Sequence, residues 1–450
     1  MNTPAPERRE TRPFDISLRM VVTLAVPMPL AYLTTPILGV VDTAVVGRLG
    51  DAALIGGLAV GAVLVDLFFT TFNFQRSGTT GLTAQAVGAE DEKETQAILF
   101  RALLLAIVAG LGMIALSIPL LKVGLWFMAP GEDVAEATST YFLIRMLSSP
   151  FALANYAILG WLIGLGRTGL GLAIQTLLNG TNIVLSIALG LWLDYGIAGV
   201  AWATVIAESL ACLAGLILCR TLMDRSVSPS RVRIADPAAW KRLVNLNADI
   251  MVRSFSLLFA FAFFTGQGAR LGEVTLAANA ILMHFFIVGG YFLDGLATAA
   301  EQIVGRALGA NYRAGFVRGV RLTLIANLAM AVLLALIYLT AGEWIVAALT
   351  TVEPVRAEAG RYLLFAALTP LTGVLAFQMD GVYIGATWSR EMRRMMLVSI
   401  AVYLASWWLL IGPYANTGLW LSLHAFLICR GVTLSLMLRP KLRAAFPEPA

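Results

Sequence analysis

A chain of 450 residues that is 59% hydrophobic and only 13% charged cannot cover a water-soluble surface with polar side chains, whatever its fold. Its net charge of +5 is no sign of a nucleic-acid partner, because membrane proteins gather Lys and Arg at their cytoplasmic face. Cys212, Cys219 and Cys429 sit in apolar runs and His284 and His424 lie far apart, so neither a disulfide framework nor a metal site is expected, and no cofactor.

The first 19 residues, polar and arginine-rich, read as a cytoplasmic tail, since the apolar run behind them is too long for a cleaved signal peptide. Runs long enough to cross about 30 Å of hydrocarbon then follow near 20–46, 53–87, 96–120, 137–164, 169–191 and 197–219. Residues 220–242 form a polar linker with six basic side chains. Six more runs come near 243–268, 274–305, 317–341, 358–386, 395–412 and 416–438, ahead of a short tail over 439–450. Lengths of this order predict helices, not barrel strands of about 10 residues. The expected fold is therefore an all-α polytopic membrane protein of twelve spans in two six-helix bundles, 20–219 and 243–438.

Of the 32 basic residues, 23 fall in the two tails and in the loops after even-numbered spans. Loops after odd-numbered spans hold five, and Arg76, Arg145, Arg253 and Arg430 lie inside or at the ends of spans. The asymmetry places both termini in the cytoplasm. The two halves also match each other. RLGDAALIGG (Arg48 to Gly57) pairs with RLGEVTLAAN (Arg270 to Asn279), QAVGA with RALGA, GWLIGLGRT with GVYIGATWS and GVAW with GLWL, at offsets of 219 to 222. Near-constant spacing argues for a repeat rather than for shared membrane composition, and six spans per half make it a parallel one.

A charge at mid-bilayer costs about 2.5–3.5 kcal/mol, so each one marks a functional hypothesis. Asp42 lies near the far end of span 1, and the repeat puts Phe264 at its counterpart, so the shared scaffold does not require the carboxylate. Span 5 offers Asn179, Asn182 and Ser186, and span 6 offers Thr204; as helix-stitching groups they are unremarkable, and beside Asp42 they become a candidate protonation network. In the second half Asp249 and Arg253 are four apart, which suits a structural ion pair on one helix. Asp294 and Glu301 share a face, with Asp294 expected to be the deeper, and Asp380 matches Leu159 in the repeat. Glu208 reads as a packing contact. No nucleophile with its base, HExxH or Walker lysine is present, so neither an enzyme nor an ATP-driven pump is indicated. A channel would want a repeated filter or charged ring. A secondary transporter is the most economical reading.

The stretches LAVPMPLAYLTTPILGVVDTAVVGRLG, LGRTGLGLAIQTLLNGTNIVLS, LNADIMVRS, YFLDG and QMDGVYIGATWSREMR, taken together, resemble the multidrug and toxic compound extrusion (MATE) transporters, in particular their DNA-damage-inducible branch, over residues 18 to 440. The resemblance implies two bundles arranged as a V and export of amphipathic or cationic organic compounds in exchange for H⁺ or Na⁺. It implies that Asp42 couples to protons, that Pro27 marks the point where span 1 bends, and that Asn182 and Thr204 support Asp42. Ser186 stands where many relatives carry a second aspartate, and Asp249 and Asp380 match the sodium-coupled members only loosely, so protons are the expected ion. The substrate would be a small organic molecule, the setting membrane lipid and the state a monomer. The alternative is a flippase for a lipid-linked precursor, an activity of related fourteen-helix families.

Overall fold

Inside a bilayer every backbone N–H and C=O must be satisfied within the chain, so apolar runs of this length can only be helical. The computed structural model describes residues 14–447. In chain order the first half contains α1 (Leu18–Ala25), α2 (Pro27–Gly47), α3 (Ala52–Thr71), α4 (Phe74–Gly88), α5 (Glu92–Ala115), α6 (Ser117–Met128), α7 (Glu132–Met146), α8 (Ser149–Gly164), α9 (Thr168–Ile187) and α10 (Gly196–Leu222). The second contains α11 (Arg231–Ile234), α12 (Pro237–Arg270), α13 (Glu273–Gly309), α14 (Arg313–Leu349), α15 (Glu353–Gly385) and α16 (Ser389–Ala445).

Several spans are broken. The first comprises α1 and α2, with Pro27 at the first position of α2, where its missing N–H does no harm. α7 and α8 meet at 51°. The long α16 is interrupted at Ala415, whose φ of 45° and ψ of −123° are not helical. Counting each broken helix as one crossing and α16 as two gives twelve spans among the described residues. The helices overrun the polar segments expected between them. α10 extends to Leu222, α12 starts at Pro237 and α16 continues to Ala445, so the linker and the C-terminal tail are shorter than composition implied. The first 13 residues of the expected N-terminal tail lie outside the described residues.

One apolar core is drawn wholly from residues 41–223 and another from 257–427, which gives each half its own bundle. The halves touch at one end. A Cβ on Gly88 would lie 2.0 Å from the Arg306 carbonyl oxygen, and one on Gly309 would lie 1.9 Å from that of Gln85, so these two glycines permit a backbone approach that no other residue allows. Around them Ile16, Val21 and Leu24 pack on Leu296 and Ile303, while Phe74, Leu82 and Ile98 pack on Leu243 and Ile250. Gln85 Nε2 donates to the Gly385 carbonyl at 2.9 Å and Arg242 donates to Gln85 Oε1 at 2.6 Å.

This is the end whose loops carry most of the Lys and Arg. At the opposite end Trp126, Trp192, Tyr195, Trp344, Trp408 and Tyr414 are all well exposed, the girdle expected where helices leave the hydrocarbon. The linker is not loose either. Arg233 pairs with both Asp91 and Glu94, and Arg101 donates to Glu94 at 2.9 Å and to the Ile234 carbonyl at 3.3 Å, which fastens α11 to the start of α5.

Candidate functional site

In the first half, α2 and α9 meet along a polar seam. Gln175, Asn179, Asn182 and Ser186 fall at steps of four, three and four, which keeps them on one face of α9. Gln175 donates to Asn179 at 3.1 Å, and Asn179 donates to Thr34 of α2. One turn further on, Ser186 Oγ donates to Asp42 Oδ1 at 2.8 Å and stands 3.4 Å from Asn182 Oδ1. Asn182 Nδ2 donates to Thr204 Oγ1 of α10 at 2.7 Å. The sequence places Asn182, Ser186 and Thr204 together beside Asp42, with the family resemblance singling out Asn182 and Thr204. The direct contact is Ser186, and the other two reach the carboxylate only through it, because Ser186 lies one helical turn nearer the aspartate.

All four side chains are buried. Behind them the chain passes through a π-helical turn at Ala188–Trp192, where Gly190 lets α9 come close to Val45 and a Cβ would meet that side chain at 2.6 Å. Such turns often mark functional positions in helices.

The second half holds its carboxylates differently. Asp380 of α15 accepts from Arg253 of α12 and from Arg430 of α16, both through Oδ2. Asp249 accepts from Ser389 at 2.8 Å and from Arg393. The expected pair between Asp249 and Arg253 therefore does not form. Each group spans to another helix, since α12 lies against α16 and a guanidinium arm reaches further than one turn of its own helix. Glu301, not Asp294, is the more enclosed of that pair, at 1% exposure, and it faces Arg76 of the first half at 3.5 Å. Asp294 is half-buried.

Five carboxylates are buried among the described residues: Asp42, Glu208, Asp249, Glu301 and Asp380. Four have an arginine within ion-pair distance, Glu208 through Arg145 at 3.4 Å. Asp42 has none and is held by a neutral hydroxyl. The four arginines inside the spans were visible as a tally in the sequence; what could not be read there is which acid each one meets: Glu301 for Arg76, Glu208 for Arg145, and Asp380 for both Arg253 and Arg430. Sequence reasoning also passed over Asp66, exposed on α3 and within electrostatic reach of Arg145 and of Tyr291 in the other half. It missed as well the ladder in which Asn327 donates to Gln378 at 2.8 Å and Gln378 to Thr323 at 2.7 Å. The i, i+4 spacing of Thr323 and Asn327 is the signal that could have revealed it.

Residues 27–188 and 250–407 match the MatE family, one segment in each half. The DNA damage-inducible protein F of Escherichia coli strain K12 is 38% identical over 418 residues, covering 92% of this chain and 91% of its own. A probable multidrug resistance protein NorM of Caulobacter vibrioides is 28% identical over 98% of this chain and 92% of its own. Among solved structures, MATE in the bent conformation superposes with a TM-score of 0.86 at 15% identity, covering 95% of this chain and 96% of that one. An outward-facing multidrug resistance MATE transporter gives 0.82 at 16% identity, again over 95% and 96%. These two likenesses bear on the fold alone. With both halves matched by the family and a relative of this identity along nearly the whole length, the chain belongs to the multidrug and toxic compound extrusion family, as a multi-pass membrane transporter and not an enzyme.

Proposed function

We propose that this protein is a proton-coupled exporter of amphipathic or cationic organic compounds, acting as a monomer in a bacterial inner membrane with both termini in the cytoplasm. The observation that carries the proton assignment is the solitary state of Asp42. The other buried acids are already paired with guanidinium groups, so a proton arriving there must displace a partner, whereas Asp42 is touched only by a hydroxyl and feels Arg145, itself paired to Glu208, at longer range. Burial in an apolar bundle favours the neutral carboxyl, which links protonation to any rearrangement of span 1 about Pro27. Sodium is the less favoured ion, because Ser186 supplies a neutral oxygen where a second carboxylate would suit a hard cation.

The cationic preference is supported by Asp66 and Asp294, which have no ion-pair partner among the described residues and whose fields reach Tyr291 and Tyr32 on the facing halves. The contacts between the halves described above gather at the end with many basic loops, the cytoplasmic side by the charge asymmetry, which supports an outward-open reading. The fourteen-helix flippase reading gains no support from twelve described spans. One proton entering down about 150 mV yields roughly 3.5 kcal/mol, enough for a gradient of a few hundred-fold in a neutral substrate. Energised everted vesicles should acidify inside and lose that acidity when substrate is added. A response that requires sodium, or none at all, would overturn the proposal.

A further inference from the structure

At the end where the halves touch, a cavity of about 440 Å³ opens between α1, the α8–α9 turn and the last turns of α13. Three arginines line it, Arg19, Arg167 and Arg306, together with Ser17 and Thr23, and no carboxylate lines it among the described residues. Arg306 lies with its guanidinium over the Phe14 ring at 4.3 Å, and the charge of Glu90 reaches it from the neighbouring loop. Helix α9 begins without a side-chain cap directly after Gly166 and Arg167 of the cavity wall, which brings the positive end of its dipole to the cavity's edge. Gln302 is 1% exposed, yet its amide oxygen has no partner, and its Nε2 sits 3.2 Å from the place where a Cβ on Gly166 would stand at the cavity wall. The orphaned oxygen is an acceptor and does not meet an anion; it is the Nε2 end, at the cavity wall, that can donate to one.

The span that forms one wall of the cavity also presents an apolar row outward. Leu18, Val22, Val26 and Leu30 are each about half exposed, and their spacing of four sets them in one row along α1 and α2. Twelve residues of helix rise about 18 Å, close to the depth of one leaflet of hydrocarbon. A free anion would use the arginines but not this apolar row. We propose that the cavity holds the phosphate headgroup of an anionic phospholipid, with an acyl chain lying along the row from Leu18 to Leu30. Its walls come from both halves, Arg167 from one and Gln302 and Arg306 from the other. A bound lipid therefore clamps the two bundles together at this end and favours the conformation described above.

The test uses the full chain purified in detergent, titrated separately with short-chain phosphatidylglycerol, phosphatidylcholine and inorganic phosphate while the thermal unfolding midpoint is followed. Phosphatidylglycerol should raise the midpoint saturably, and the other two should not. Losing two of three arginines in R19Q/R167Q should make the required lipid concentration roughly 30-fold higher. R220Q/R225Q removes equal charge from the same end and should respond as the parent does. Both target arginines are exposed, so folding should survive; should the double variant aggregate, R167Q alone provides the comparison. Equal responses in the variant and its charge-matched control, or no response in the parent, would overturn the site. Saturation by inorganic phosphate at the same concentrations would replace the lipid with a free anion.

Discussion

The two halves share a scaffold and disagree about what to bury in it. At the repeat offsets, Asp42, Asn182, Ser186 and Thr204 of the first half correspond to Phe264, Tyr403, Trp407 and Leu423 of the second. A hydrogen-bonded seam on one side is an aromatic stack on the other, where Phe264 meets Trp420 edge-on at 5.0 Å and Phe263 meets Tyr403 at 5.6 Å and Trp407 at 5.0 Å. Packing alone is thus satisfied by rings at these positions, and edge-to-face pairs add about 0.5–1.5 kcal/mol each beyond burial. The shared architecture therefore does not require the carboxylate and its neutral partners. Conversely, Asp380 and its two arginines have no acid opposite them in the first half, where Leu159 stands.

The sharpest way to break this comparison is to neutralise one acid in each half. Asp42→Asn keeps shape and hydrogen bonding but cannot titrate, and is expected to reduce pH-driven transport in proteoliposomes by at least about 100-fold while insertion and thermal stability stay near those of the parent. Asp380→Asn should do the reverse. It strands two buried guanidinium groups and should cost about 3–5 kcal/mol, seen as a lowered unfolding midpoint and poor yield. Normal pH dependence in Asp42→Asn would move the coupling site to the second half.

A smaller effect should come from Ser186→Asp, which puts a second carboxylate at the position whose hydroxyl now lies 2.8 Å from Asp42. Sodium should then stabilise the variant by about 1 kcal/mol at a few times its dissociation constant, while the parent shows no such response. A parent already stabilised by sodium, with no response to lithium or potassium, would count against proton coupling.

The helical class and the approximate number and ends of the spans were legible because each rests on a local property, a run of apolar residues. The seam on α9 was legible for the same reason, since spacing alone puts Asn179, Asn182 and Ser186 on one face. Partner choice was not. Asp249 and Arg253 satisfy the helical spacing rule for a pair and ignore each other, because Arg393 and Asp380 reach them from helices more than 125 residues away in sequence. Tertiary geometry decides such pairings, and spacing on one helix says only which are available. Helix ends were misjudged by several residues where polar sequence continues a helix beyond the hydrocarbon, as in α12 and α16.

The finest contrast between the halves is a single backbone conformation. In the first half the chain turns out of span 5 into span 6 through Gly196, at φ 56°; the corresponding turn in the second half uses Ala415, at φ 45°. The Cβ of alanine makes this region costly, by about 1–3 kcal/mol for a non-glycine residue, whereas glycine occupies it freely. Ala415→Gly should therefore raise the unfolding midpoint slightly, with a gain of up to about 1 kcal/mol after the extra freedom of the unfolded chain is counted against it. Gly196→Ala should lower the midpoint by a similar amount or more. Transport rates separate two roles for the strained turn. If Ala415→Gly stabilises the protein and leaves transport unchanged, the alanine is only tolerated; if it stabilises and slows transport, the strain is held for use when the halves part and close.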